Sequence, residues 1–331
     1  MKKKEDFHPF PFFEHSLVQT VVGSYFNFDR LPLSKTELID LPDGDKMAAE
    51  VTTPENWKEN DLTVMFLHGL CGSHNSTYLV RMTKRVLGHG FKSVRLNMRG
   101  CGSGRGLAKK FYHCGSSTDI LNVVTHFKKK FPQSPIVLVG FSLGAHIVLK
   151  MAGELEEKAK DLVQEVYAVS PPLKLVSSMR LFCHPNNKRF DQYFTKLLVD
   201  NIYYLQKKFP EIGNFVFPED ATLLDFDELY VAPRVGFSSA IEYYQKCSSF
   251  PLIPKIQIPA KLLFSIDDPI IDPHDIEEID LPSNIQVFKT DRGGHLGFLG
   301  VPGKRYGFRW MDSLLMDWIL EFWQRFKAEN A

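Results

Sequence analysis

The sequence is short of several things. It has only five cysteines in 331 residues, Cys71, Cys101, Cys114, Cys183 and Cys247. No two form a CxxC pair, which argues against a disulfide framework or a zinc site and for reduced thiols in a cytosolic compartment. Charge of one sign is also missing, since 40 Lys and Arg stand against 39 Asp and Glu for a formal charge of +1. A nucleic-acid partner would call for a clear basic excess, so none is expected. Long apolar runs are absent too. The most apolar window, 136–149 (IVLVGFSLGAHIVL), contains Ser142, His146 and two glycines and falls short of the ~20 residues a membrane-spanning helix needs. A basic start, Lys2-Lys3-Lys4, is followed at once by Glu5, Asp6, His8, Pro9, Pro11, Glu14 and His15, so no secretory signal is expected. Peripheral contact with lipid is left open. No internal repeat is present, and neither G-x-G-x-x-G nor G-x-x-x-x-G-K-[ST] occurs, so no nucleotide cofactor is expected. The acidic run Asp272, Asp275, Glu277, Glu278, Asp280 lacks the spacing and glycine of a calcium loop, and no metal is expected.

What is present is an alternation of strand and helix patterns. Apolar or β-branched runs at 62–67, 93–97, 136–140, 165–169, 261–265 and 284–289 read as strands. Amphipathic or apolar stretches at 78–88, 117–130, 142–153 and 310–327 read as helices. The segments 36–41 and 46–51, parted by Pro42-Asp43-Gly44-Asp45, read as a hairpin. Alternating β and α elements imply βαβ units, a mostly parallel sheet covered on both faces, and thus an α/β doubly wound fold. Residues 1–35, aromatic and punctuated by proline, read as an extended N-terminal arm, and 36–170 with 256–331 as the α/β core. The intervening 171–255 breaks the alternation. Fifteen Phe or Tyr occupy the 70 positions from 181 to 250, against 13% aromatic residues in the whole chain. We read 171–255 as a cap insert over the carboxyl ends of the strands, where ligands sit in open α/β sheets.

The chemistry-bearing residues fall at the ends of these strands. Gly140-Phe141-Ser142-Leu143-Gly144 is a G-x-S-x-G pattern, weak alone but here set between an apolar strand and a helix, as a nucleophile elbow requires. The competing reading is a tight strand-to-helix turn without catalysis. A serine hydroxyl needs a base to take its proton, and in this fold acid and then histidine follow the serine along the chain. His295 lies in Gly293-Gly294-His295-Leu296-Gly297 after the last strand and is the candidate base. Just past strand 261–265 come Asp267 and Asp268. We prefer Asp268, because Asp268-Pro269-Ile270-Ile271-Asp272-Pro273 has the carboxylate followed by aliphatics and a proline turn. It would orient the imidazole and stabilise the imidazolium. Two backbone N–H groups are needed for the developing oxyanion, and these are assigned to Leu143 and to Leu70 in His68-Gly69-Leu70-Cys71-Gly72. His68 is expected to be structural. The glycine-rich 99–106 reads as a structural turn.

These motifs, with Asn97-Met98-Arg99-Gly100-Cys101-Gly102, Asp267-Asp268-Pro269, Gly293-Gly294-His295-Leu296-Gly297-Phe298, Leu224-Asp225-Phe226-Asp227 and Tyr243-Tyr244, resemble the YheT-like α/β-hydrolases, the AB hydrolase 4 group, over about residues 8–325. The resemblance implies an α/β-hydrolase fold with a helical cap, a Ser142–Asp268–His295 triad, and a serine esterase, lipase-like in its substrates, that hydrolyses short- to medium-chain acyl esters or other small-molecule or lipid esters through an acyl-enzyme. Some relatives act on phospholipids and some carry a membrane anchor; this chain resembles the soluble, cytoplasmic type. The alternative is a non-catalytic α/β-hydrolase fold that binds an apolar ligand or a partner.

Overall fold

The computed structural model describes residues 2–4, 6–25, 30–304 and 306–330. Residues 1, 5 and 26–29 of the expected arm, and 305 and 331 of the expected core, lie outside these. A nine-stranded sheet runs in the order β1-β9-β8-β7-β6-β4-β5-β3-β2. The strands are β1 (Lys2–Lys4), β2 (Lys35–Asp40), β3 (Lys46–Thr52), β4 (Thr63–Leu67), β5 (Lys92–Asn97), β6 (Ile136–Phe141), β7 (Glu165–Val169), β8 (Ala260–Ser265) and β9 (Ile285–Thr290). Among the described strands the antiparallel pairings are β2 with β3 and β3 with β5. Strands β2 and β3 form the hairpin that the Pro-Asp-Gly-Asp turn predicts, closed by the Leu41 N–H donating to the Asp45 carbonyl at 2.9 Å.

Helices α1 (Ser16–Tyr25), α2 (Thr77–Gly88), α3 (Ser117–Lys130) and α4 (Leu143–Leu155) precede the insert, and α10 (Trp310–Glu329) closes the described chain. Between β7 and β8 lie α5 (Leu175–Phe182), α6 (Lys188–Lys208), α7 (Leu223–Phe226), α8 (Ala232–Arg234) and α9 (Ala240–Cys247). The expected strands and helices of the core are found within a few residues of their predicted places.

The central strands show why the fold is doubly wound. Every residue of β6 is buried. Ile136 and Leu138 enter the apolar cluster that includes Val124 and Leu149 of α3 and α4. Val137, Val139 and Phe141 enter a second cluster with Met82 of α2 and Leu315 of α10. A strand alternates its side chains between faces, so a continuous apolar run with helices on both sides buries all of them.

The first 35 residues differ from the expected extended arm. They contain the three-residue β1, paired in parallel with β9, and α1, whose Gly23 lies so close to Gly297 that an added Cβ would stand 2.6 Å from the Gly297 Cα. Helix α1 (SLVQTVVGSY) has no charged residue in its terminal turns and a high share of β-branched residues, which weakens any helical signal. It forms because it packs against the loop that follows β9.

Candidate active site

Strand β6 ends where α4 begins, and Ser142 occupies the turn with φ 53° and ψ −121°. This is a sparsely populated conformation for a residue with a Cβ, and such strain persists only where the surroundings impose it. The Ser142 N–H donates to the Val169 carbonyl at 2.8 Å. The flanking glycines permit the close approach. A Cβ on Gly140 would stand 2.5 Å from the Gly144 carbonyl oxygen, and one on Gly144 would stand 2.4 Å from the His68 carbonyl oxygen.

The three side chains picked out by the sequence pattern lie in one line. His295 Nε2 is 2.8 Å from Ser142 Oγ, and His295 Nδ1 is 2.8 Å from Asp268 Oδ2. The other carboxylate oxygen, Oδ1, accepts the N–H groups of Ile270 at 2.9 Å and Ile271 at 3.0 Å. With Asp268 accepting at Nδ1, the ring carries its proton there and turns the lone pair of Nε2 towards the serine. The Asp268 side chain is 2% exposed and that of His295 is 11% exposed, so little water competes for either contact.

Asp267 takes a different part. Its Oδ1 accepts from the Ser265 hydroxyl and, at 2.9 Å, from the Gly294 N–H. It thereby ties the residue before His295 to the end of β8. Sequence reasoning had no signal for a further support, from α1. The Thr20 hydroxyl oxygen accepts the His295 N–H at 2.9 Å, and Gln19 bridges the Phe13 and Leu299 backbones.

The loop after β4 faces the start of α4. Gly69 N–H donates to the Tyr78 hydroxyl at 3.0 Å and Cys71 N–H to the Tyr112 hydroxyl at 2.9 Å. The N–H of Leu70 between them, and that of Leu143 in the first turn of α4, have no hydrogen-bond partner among the described residues. Free backbone N–H groups can donate to a negative charge, most readily at a helix start such as that of Leu143. His68 holds the loop from below. Its Nε2 accepts from the Met98 N–H at 3.2 Å and its Nδ1 donates to the Gly69 carbonyl at 2.7 Å. Burial pushes His68 down to about 4, so it is a neutral structural residue. Cys71, with its thiol pushed up to about 12 by burial, is not an activated nucleophile.

Ser142 and His295 open on a cavity of about 770 Å³. Its walls come from α1 (Leu17, Val21), the loop after β4 (Leu70), and the segment between β7 and β8 (Met179, Phe194, Phe226). A concave, largely apolar space with a few convergent polar groups has the character of a small-molecule site.

The chain is similar to known proteins. A model of the alpha/beta hydrolase fold matches residues 63–208. YheT of Escherichia coli (strain K12) is 27% identical over 323 residues, an alignment covering 96% of this chain and 94% of that protein. The chain has the α/β-hydrolase fold and is similar to YheT over nearly its whole length. This hydrolase is also 27% identical to the monoacylglycerol lipase of Saccharomyces cerevisiae over 78% of the chain and 59% of that protein. Among solved structures, the Pyrococcus furiosus esterase Pf2001 superposes with a TM-score of 0.57 at 18% identity, covering 88% of this chain and 91% of that one; this likeness bears on the fold. No helix of the described residues is long and apolar enough to cross a membrane.

Proposed function

We propose that this YheT-like hydrolase is a serine esterase that cleaves carboxylic esters of short- to medium-chain acyl groups, acylglycerols or related lipid esters among them. The observation that carries the reading is the continuous Ser142–His295–Asp268 hydrogen-bond relay, 2.8 Å at each link, opening on an apolar cavity. The naming of a relative as a monoacylglycerol lipase supports the substrate class.

In this reading Ser142 Oγ attacks the acyl carbonyl while His295 Nε2 takes its proton, and Asp268 stabilises the imidazolium. The Leu70 and Leu143 amides hold the tetrahedral oxyanion. His295 returns the proton to the departing alcohol, and water, activated by the same imidazole, releases the acid from the acyl-enzyme. Residues 171–255 act as the cap, setting an aromatic roof over the core formed by 36–170 and 256–331. Five free cysteines support a reducing, cytoplasmic setting.

A fluorophosphonate probe tests the nucleophile. The wild type is expected to label and to hydrolyse p-nitrophenyl octanoate, and Ser142→Ala to lose labelling and at least about 10³-fold in kcat. Equal labelling of both proteins refutes Ser142 as the nucleophile, and a wild type inert to probe and ester refutes the reading and leaves a binding fold.

A further inference from the structure

The segment between β7 and β8 brings to the cavity a carboxyl group that ester cleavage does not use. Asp227 opens a π-helical turn, Asp227–Val231, between α7 and α8. Such turns interrupt regular helices and are found often at functional positions. Asp227 is only 8% exposed, yet it lines the same cavity as Ser142 and His295. Its Oδ2 accepts from the Tyr244 hydroxyl at 2.7 Å. Its Oδ1 has no hydrogen-bond partner among the described residues, while the residue itself lines the cavity.

The surroundings define what this oxygen can meet. Phe226, Val231, Tyr243 and Cys114 line the cavity with it. Tyr243 is itself occupied, its hydroxyl accepting from the Cys114 N–H at 2.7 Å. Burial pushes His113, which also lines the space, down to about 4, so it carries no charge at neutral pH. Burial pushes the Asp227 carboxyl up to about 7, against the opposing hydrogen bond from Tyr244, and among the described residues no hydrogen bond joins it to a cation. An anion placed here would meet a carboxyl without a counter-charge. A cation would have to give up its water among aromatic and aliphatic walls. A neutral hydroxyl fits both states of the group, since a carboxylic acid donates and accepts and a carboxylate accepts.

We propose that Asp227, oriented by Tyr244, is a hydrogen-bonding subsite for an uncharged hydroxyl group of the substrate, carried either by the alcohol portion of the ester or by its acyl chain. The identity of the cavity as an ester site rests on the reading above. A plain alkyl ester leaves Oδ1 unpaired or wet, and a hydroxylated one satisfies it. One hydrogen bond of this kind discriminates by about tenfold.

The test is calorimetric binding to Ser142→Ala, which holds an ester without consuming it. The probes are ethyl octanoate, 1-monooctanoylglycerol, ethyl 8-hydroxyoctanoate and octanoylcholine. One of the two hydroxylated probes is expected to bind about tenfold more tightly than ethyl octanoate, and which one identifies the source of the hydroxyl. Adding Asp227→Leu is expected to abolish that advantage, and Asp227→Asn, which keeps an acceptor and a donor, to retain most of it. Asp227→Ala replaces the leucine variant if that one does not fold. Equal binding of plain and hydroxylated esters, an advantage that survives Asp227→Leu, or tightest binding of octanoylcholine overturns the proposal. Since turnover is not read, discrimination by a protein without hydrolytic activity overturns only the esterase reading, and hydrolysis without discrimination overturns only the subsite.

Discussion

Replacing Gly144 by alanine adds a single methyl group and is expected to disable the enzyme without unfolding it. The new Cβ would stand 2.4 Å from the His68 carbonyl oxygen and 2.5 Å from that of Leu67, where ordinary contact begins at 3.4 Å. Both are backbone atoms, at the end of β4 and the start of the loop that carries Leu70, and cannot rotate aside. Helix α4 must therefore retreat from β4 by about 1 Å, taking Leu143 and the Ser142 turn with it and parting the Leu143 amide from that of Leu70. A displacement of that size in a reacting geometry lowers the rate on the order of 10²-fold, and forcing a methyl into a filled space costs about 1–3 kcal/mol of stability. Gly153→Ala is the control. Its Cβ would be equally crowded, 2.5 Å from the Leu252 carbonyl oxygen, but in the last turn of the same helix, away from both amides. Urea denaturation should show comparable destabilisation of the two variants. Turnover of p-nitrophenyl octanoate and the rate of fluorophosphonate labelling should fall about 10²-fold only in Gly144→Ala. Wild-type kcat in a destabilised Gly144→Ala would refute the idea that this contact sets the spacing of the oxyanion amides.

The neighbouring aspartates should separate cleanly. Asp268→Asn is expected to lower kcat on the order of 10⁴-fold by turning the imidazole to the wrong tautomer, and Asp267→Ala only about tenfold, by releasing the Gly294 N–H; equal losses would mean that the carboxylate has been misassigned. Burial raises the Asp227 carboxyl from 3.8 to about 7, so the folded chain holds a proton there that the unfolded chain has released. Its stabilising share is complete below about pH 4 and is lost as the pH rises through about 7. Tyr243, Tyr244 and Cys114, the ionisable groups facing it, stay neutral over that range. The stability of Asp227→Asn relative to wild type should therefore climb by up to about 1.4 kcal/mol per pH unit across the window; a flat difference in urea titrations would refute the assignment.

The parts of the molecule that could be read in advance are those whose cause is local. Buried parallel strands announce themselves as apolar runs, and the turn at Ser142 is flanked by glycines because Gly144 meets the end of β4 and Gly140 meets the first turn of α4. The order serine, aspartate, histidine follows the strand ends of a doubly wound sheet, so side chains far apart in sequence could be assigned to one rim. What could not be read depends on contacts with no local mark. Thr20 meets His295 across 275 positions, and nothing in SLVQTVVGSY points to a histidine loop. The segment between β7 and β8 could be recognised as aromatic, but not the π turn that aims Asp227 into the cavity, because Tyr244, its partner, lies in another helix.

Helix α1 gives the proposed catalytic rim an unusual dependence. Its backbone lies against the glycines on either side of His295, its threonine supports the histidine amide, and Leu17 and Val21 close one wall of the cavity. The sheet and its covering helices could thus be complete while the proposed base and one side of the binding space were still unformed. Variation in some ten residues near the beginning of the chain can reshape what the enzyme accepts, or silence it, without disturbing a single strand of the core.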